Sequence, residues 1–127
     1  MFKALSPNLL VEDVEKSIEF YHMLGFEKVA QVPENGKPQW AMIKGGDVSI
    51  MLQEKKSAQF DLPFRFTQGQ NAGAFLYIDV ENVEELRSRI DGKVMVLKDV
   101  FSTFYGTHEF IISDPDHFVL IFAQDVK

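Results

Sequence analysis

Chemistry in this chain must come from carboxylates, hydroxyls, amides, aromatic rings and three histidines, because it holds no cysteine. Thiol catalysis, thiolate metal sites and disulfides are therefore excluded. His22 falls four places after Ile18, at the margin of an apolar stripe, and reads as a surface histidine. His117 closes the turn Ser113-Asp114-Pro115-Asp116-His117 and reads as a hydrogen-bonding turn residue. His108 and Glu109 are adjacent, so on a strand they point to opposite faces and cannot serve one cleft. No metal site is expected from these groups. Two carboxylates stand among apolar neighbours, Asp79 and Glu109. They could offer negative charge to a cation, with cation–π help from Trp40, Tyr77 and Tyr105. Alternatively, a carboxyl whose pKa is raised by burial could act as a general base.

These residues need elements to hold them. From Val11 to Phe26 the chain reads as a short amphipathic helix with a signal at each end: Asp13 caps the start, Gly25 ends it, and Val14, Ile18, Tyr21 and Leu24 form its apolar stripe. The opening Val11-Glu12-Asp13-Val14-Glu15 returns as Val80-Glu81-Asn82-Val83-Glu84, again with an Asx cap after a strand-like run. A repeat at half the chain length predicts two copies of one supersecondary unit.

The first copy is expected to run as a strand from Lys3 to Val11, kept to an edge by Pro7, then the helix, then strands at Glu27 to Pro33, Trp40 to Lys44 and Val48 to Gln53. Asn35-Gly36 signals a tight hairpin between the second and third strands. Glu54 to Asn71 has no clean period and reads as a linker, with Phe60, Phe64 and Phe66 too apolar for a free tether. The second copy is expected as a strand from Ala72 to Val80, a helix from Asn82 to Asp91 stacking Val83, Leu86 and Ile90, and a strand from Lys93 to Lys98. An aromatic loop from Asp99 to Gly106 and strands at Thr107 to Ile112 and Phe118 to Gln124 complete it. Both halves thus read βαβββ.

The 127 residues suffice for one compact domain and not two independent ones, so a single α+β domain is expected, with module one at about 1–53, a linker at about 54–71 and module two at about 72–127. A hydrophobic content of 46% with 25% charged residues is that of a soluble globular protein. No apolar run is long enough to span a bilayer, and MFKALSPNLL lacks the features of a secretory signal, so a cytoplasmic protein without membrane contact is expected. A net charge of −6 and scattered lysines argue against nucleic acid as a partner.

The run FYHMLGF, from Phe20 to Phe26, and GTHEFIISDPDHF, from Gly106 to Phe118, resemble the vicinal oxygen chelate superfamily of glyoxalases, extradiol dioxygenases and bleomycin-resistance proteins. The resemblance covers essentially the whole chain. It implies two βαβββ modules whose sheets curl around a shared cleft, often completed by a second subunit. It also implies metal ligands, usually His, Glu or Gln, at four positions, which in this chain are Ser6, Met51, Phe75 and Ile121. None of these suits a hard divalent cation, so no metal and no cofactor are expected. PNLL before the helix, and a lone tryptophan before MIKGGDVSIML, look most like the metal-free bleomycin-resistance type.

With the helices on one side, the opposite faces are expected to carry Ser6, Asn8, Leu10, Trp40, Met42, Ser49 and Met51 from the first half, and Phe75, Tyr77, Asp79, Val119 and Ile121 from the second. Phe101, Phe104 and Tyr105 would close one end. The expected ligand-binding residues are Asn8, Trp40, Met42, Met51, Phe75, Tyr77, Asp79, Phe104, Tyr105 and Glu109. Such a lining suits a small, flat or aromatic organic ligand, or else it forms a second core or a subunit interface. The resemblance implies a homodimer that sequesters an antibiotic or another cationic aromatic compound. The alternative is a lyase, isomerase or dioxygenase-like enzyme using unusual metal ligands or a carboxylate base.

Overall fold

Asp13 starts the first helix by the capping chemistry its side chain permits. Its backbone is extended, φ −140° and ψ 108°, and its carboxylate accepts from the Lys16 N–H at 3.2 Å. Helix α1 then runs over Val14–Leu24 and ends at Gly25, where φ of 113° requires the left-handed backbone that glycine adopts without strain. The buried stripe is Val14, Ser17, Tyr21 and Leu24. It passes through Ser17, and Ile18 is only half-buried, because a 3.6-residue period carries the contact line through the small side chain.

The computed structural model describes residues 1–61 and 74–127 of the chain. The chain divides into two compact units, the division falling between those two stretches. In the first unit, β1 (Asn8–Val11), β2 (Glu27–Val32), β3 (Trp40–Gly45) and β4 (Val48–Glu54) form a sheet of order β1-β4-β3-β2. In the second, β5 (Phe75–Asp79), β6 (Met95–Ser102), β7 (Thr107–Ser113) and β8 (Val119–Asp125) form a sheet of order β5-β8-β7-β6. Each unit pairs its first and last strands in parallel and the others antiparallel. The architecture is α+β, a βαβββ module built twice.

The cap repeats with the module. Asn82 has φ −147° and ψ 101°, and its side chain accepts from the Glu85 N–H at 3.0 Å to open α3 (Val83–Arg89). Val83, Leu86 and Ile90 are buried as their spacing predicts, against Phe110, Ile112, Leu120 and Phe122. The rings of Phe110 and Phe122, partners across β7 and β8, have centroids 5.2 Å apart. In the first unit the core is built by Leu9, Val11, Ala41, Ile43, Ile50 and Leu52 under α1.

Several boundaries differ from the sequence expectation. The first strand begins at Asn8, not Lys3, and Leu5 is 87% exposed. Pro7 has no N–H to donate; its carbonyl accepts from Met51 at 2.8 Å and the ladder starts beyond it. The β2–β3 connection is residues 33–39, not a tight turn at Asn35-Gly36. Pro33 and Pro38 cannot pair, so pairing resumes only where Gln39 donates to Val32. The expected linker opens with α2 (Lys55–Asp61), whose Ala58 is fully buried and whose Lys55 bonds Glu12 at 2.9 Å. The expected packing of Phe60, Phe64 and Phe66 lies outside the described residues. Finally, β6 runs through Ser102, well into the expected aromatic loop. Register shifts between Val96 and Lys98, and between Lys98 and Phe101, let the strand absorb extra residues and continue.

Candidate functional site

Each sheet has one face toward its helix and one open face, and strand register shows which side chains share the latter. In the first unit Asn8, Met51 and Met42 lie in one row across β1, β4 and β3, and Leu10, Gln53 and Trp40 lie in the next. Asn8 donates to Gln53 Oε1 at 2.8 Å, which draws these two polar side chains together on the open face. Trp40, Met42 and Met51 are half-buried there. Gln53 was not among the expected site residues; its parity with Met51 on β4 was the available signal.

The open face of the second unit is built in three rows. Phe75, Val119, Ser113 and Met95 form one; Tyr77, Ile121, Ile111 and Lys98 the next; Asp79, Ala123, Glu109 and Phe101 the third. Phe75 and Tyr77 are 65% and 50% exposed. Ala123 leaves a gap between β5 and β7, and Tyr77 reaches diagonally across it to donate to Glu109 Oε2 at 2.6 Å. A larger residue on β8 would block that bond.

Glu109 is the centre of this face. It is 3% exposed, and its Oε2 accepts three hydroxyls: Tyr77, Thr107 at 2.8 Å and Tyr105 at 3.0 Å. The loop carrying Tyr105 is tied at its base, where Thr103 N donates to Thr107 O at 2.9 Å and the two threonine hydroxyls stand 2.7 Å apart. Gly106, at φ 90°, permits the return of the chain.

Burial pushes the Glu109 carboxyl up, but the hydroxyls of Tyr77, Thr107 and Tyr105, with Lys98 nearby, outweigh it and hold the pKa below the ordinary glutamate value. The expectation of a carboxyl raised by burial is thus overturned: three donors on the ionised form win. The partner effect appears on Tyr77, pushed up to about 12 chiefly by its bond to Glu109, and on Tyr105, raised for the same reason.

The other expected residues are placed as follows. Asp79 is exposed on β5, on the same open face as Glu109 and two strands away. Phe104 is fully exposed at the loop tip, edge-on to Tyr105 with centroids 5.1 Å apart. Phe101 lies on β6, where Lys98 Nζ stands 3.9 Å from its ring centroid. Ser6 precedes β1, while Met51, Phe75 and Ile121 sit on β4, β5 and β8. Their hydroxyl, thioether, phenyl and alkyl groups do not fit a divalent metal, and among the described residues no group of three or more His, Asp or Glu side chains converges on a point.

His108 pairs with Ser102 and Gln124, away from the Glu109 face, as alternation requires. His117 holds φ 69° and donates its N–H to the Asp114 carbonyl at 3.1 Å. Asp114 in turn accepts from the N–H groups of Asp116 and Phe118 at 2.9 and 2.8 Å, so the turn positions β8. His22 is an exposed residue 3.4 Å from Glu27. Among the described residues no helix is long and apolar enough to cross a membrane.

A doubled βαβββ module with a four-stranded sheet in each unit defines the fold class. This chain belongs to the Glyoxalase/Bleomycin resistance protein/Dioxygenase superfamily, whose sequence profile matches residues 4–122. No curated protein matches it by sequence. Among solved structures it is similar to a hypothetical protein from S. aureus, with TM-score 0.77 and 23% identity over 98% of this chain and 95% of that one. It is also similar to TioX from Micromonospora sp. ML1, with TM-score 0.79 and 13% identity over 98% and 100% of the two chains. A bleomycin-binding protein solved in complex with bleomycin has TM-score 0.67 and 16% identity over 98% and 99%. At these identities the likeness is one of fold.

Proposed function

We propose that the protein binds a small, flat organic molecule on its open sheet faces without a metal, and sequesters it without chemical change. The observation that carries this reading is the substitution of donor chemistry by apolar chemistry. The four positions at which the family resemblance places metal ligands hold Ser6, Met51, Phe75 and Ile121, and three of these belong to the apolar open faces. Those faces also present Trp40, Met42 and Tyr77, and the β6–β7 loop adds Tyr105 and the exposed Phe104, side chains suited to stacking on an aromatic ligand. Asn8 offers a polar anchor on the face of the first unit, and Asp79 and Glu109 offer theirs on the face of the second. The fold shared with a bleomycin-binding protein makes an antibiotic a reasonable ligand class.

The protein acts, in this reading, as a cytoplasmic homodimer in which both modules serve one functional domain. The exposure of Phe75, Tyr77, Met95 and Leu97 on one unit supports a covering second copy. Sedimentation equilibrium across a hundredfold concentration range should give twice the chain mass; a monomer throughout removes the dimer from the proposal.

The binding itself is tested through Trp40, the single tryptophan. Its fluorescence is followed while bleomycin and a set of planar aromatic compounds are titrated, with EDTA and with added divalent metal. A saturable change indifferent to EDTA is expected. A response that appears only with metal would overturn the reading in favour of a metal-dependent enzyme.

A further inference from the structure

Glu109 carries a buried negative charge that hydroxyl donors, rather than a salt-bridge partner, hold in place. A carboxylate 3% exposed is costly to keep ionised without hydrogen bonds or a countercharge. Three hydroxyls lower that cost, yet they are neutral dipoles and all three donate to the same oxygen, Oε2. Oε1 accepts no hydrogen bond, and it is not sealed off, since no buried side-chain oxygen in the described residues lacks a partner. Lys98, whose charge acts on Glu109, lies over the Phe101 ring, its Nζ 3.9 Å from the centroid. The third row of the face adds Asp79, with only Ala123 between the two carboxylates and no basic residue in the row.

We propose that Glu109 Oε1 is the anchor for a protonated nitrogen, so that the ligand of this face is an organic cation: an ammonium, amidinium or guanidinium carried on a flat apolar body. This deepens, and rests on, the binding reading above. The hydroxyl clamp is a positioning device. By occupying Oε2, Tyr77, Thr107 and Tyr105 fix the carboxylate plane and turn its remaining lone pairs outward, where an N–H donor makes a charge-assisted bond. The aromatic body of the ligand lies against Phe75 and Tyr77, whose rings favour a nearby positive charge. Neutral analogues lose the charge-assisted bond, and anions meet two carboxylates.

The test uses the methylammonium, hydroxymethyl and carboxylate derivatives of naphthalene and of anthracene, titrated into the full chain by calorimetry. Expected is a preference of about tenfold or more for the ammonium over the alcohol, with the carboxylate weakest. Glu109→Gln keeps the shape and a hydrogen-bond acceptor, and should bring the ammonium-to-alcohol affinity ratio to about one. Lys98→Met removes the competing cation at an exposed site and should tighten ammonium binding about twofold to threefold at low salt. Ammonium and alcohol binding equally in the unaltered protein would sink the cation proposal and leave the aromatic-binding reading standing. A preference that survives Glu109→Gln also overturns it, by placing the cation elsewhere. Failure of all six compounds to bind removes both.

Discussion

Glu109 is held ionised by hydroxyl donors rather than by a salt bridge, and this gives the protein a particular pH behaviour. Because the folded pKa of Glu109 is lowered, its contribution to stability is full above the carboxyl's unfolded pKa and is lost as pH falls through the folded one. Tyr77 has the opposite sign. Its pKa is raised from 10.0 to about 12, so its contribution is full below about pH 10 and is lost as pH climbs toward 12. A spectrophotometric titration of tyrosinate should therefore show a late-ionising phenol that Tyr77→Phe removes. The same substitution should cost about 1 kcal/mol at neutral pH in urea unfolding, below the usual range for a bond to a charged group because the phenol is half exposed. An unchanged titration curve in Tyr77→Phe would show that the short Tyr77–Glu109 bond does not form in solution.

Among the elements, the caps and turns are where single residues decide most. Asp13 and Asn82 each close a free N–H at a helix start, so alanine at either should cost about 1 kcal/mol in thermal or urea unfolding. His117 stands at φ 69°, where a β-carbon is strained. Replacing it with glycine should raise stability by about 0.5 kcal/mol, the relief of strain exceeding the extra chain entropy. A fall in melting temperature in His117→Gly would mean that the imidazole makes a compensating contact. Ala123 acts at this scale as well: Ala123→Leu fills the gap that Tyr77 crosses and should lower the tyrosinate pKa toward its ordinary value.

At the scale of the whole molecule, two units of the same topology each carry their own core, and Phe110→Ala should cost about 3–5 kcal/mol through the cavity it opens. The fluorescence of Trp40, in the other unit, reports whether that loss is confined to the unit that holds Phe110. Much of this organisation is legible from the chain alone. The Asx caps, Gly25, the period-two faces and the doubled motif are local signals, and local sterics and capping chemistry act within a few residues, so the βαβββ pattern and the faces bearing Asn8, Trp40, Met42, Met51, Phe75, Tyr77 and Asp79 follow from them. The sequence likewise determined that no thiol is available and that Ser6, Met51, Phe75 and Ile121 are poor metal ligands. Tertiary structure alone decided where strands stop, because pairing depends on a partner's register: Pro7 and Pro33 shortened ladders, while two bulges extended β6. It alone decided the state of Glu109. Burial by itself argues for a raised pKa, and only the meeting of Tyr77 from β5, Tyr105 from a loop and Thr107 from β7 on one oxygen reverses the sign, a convergence of groups up to 32 residues apart in the chain.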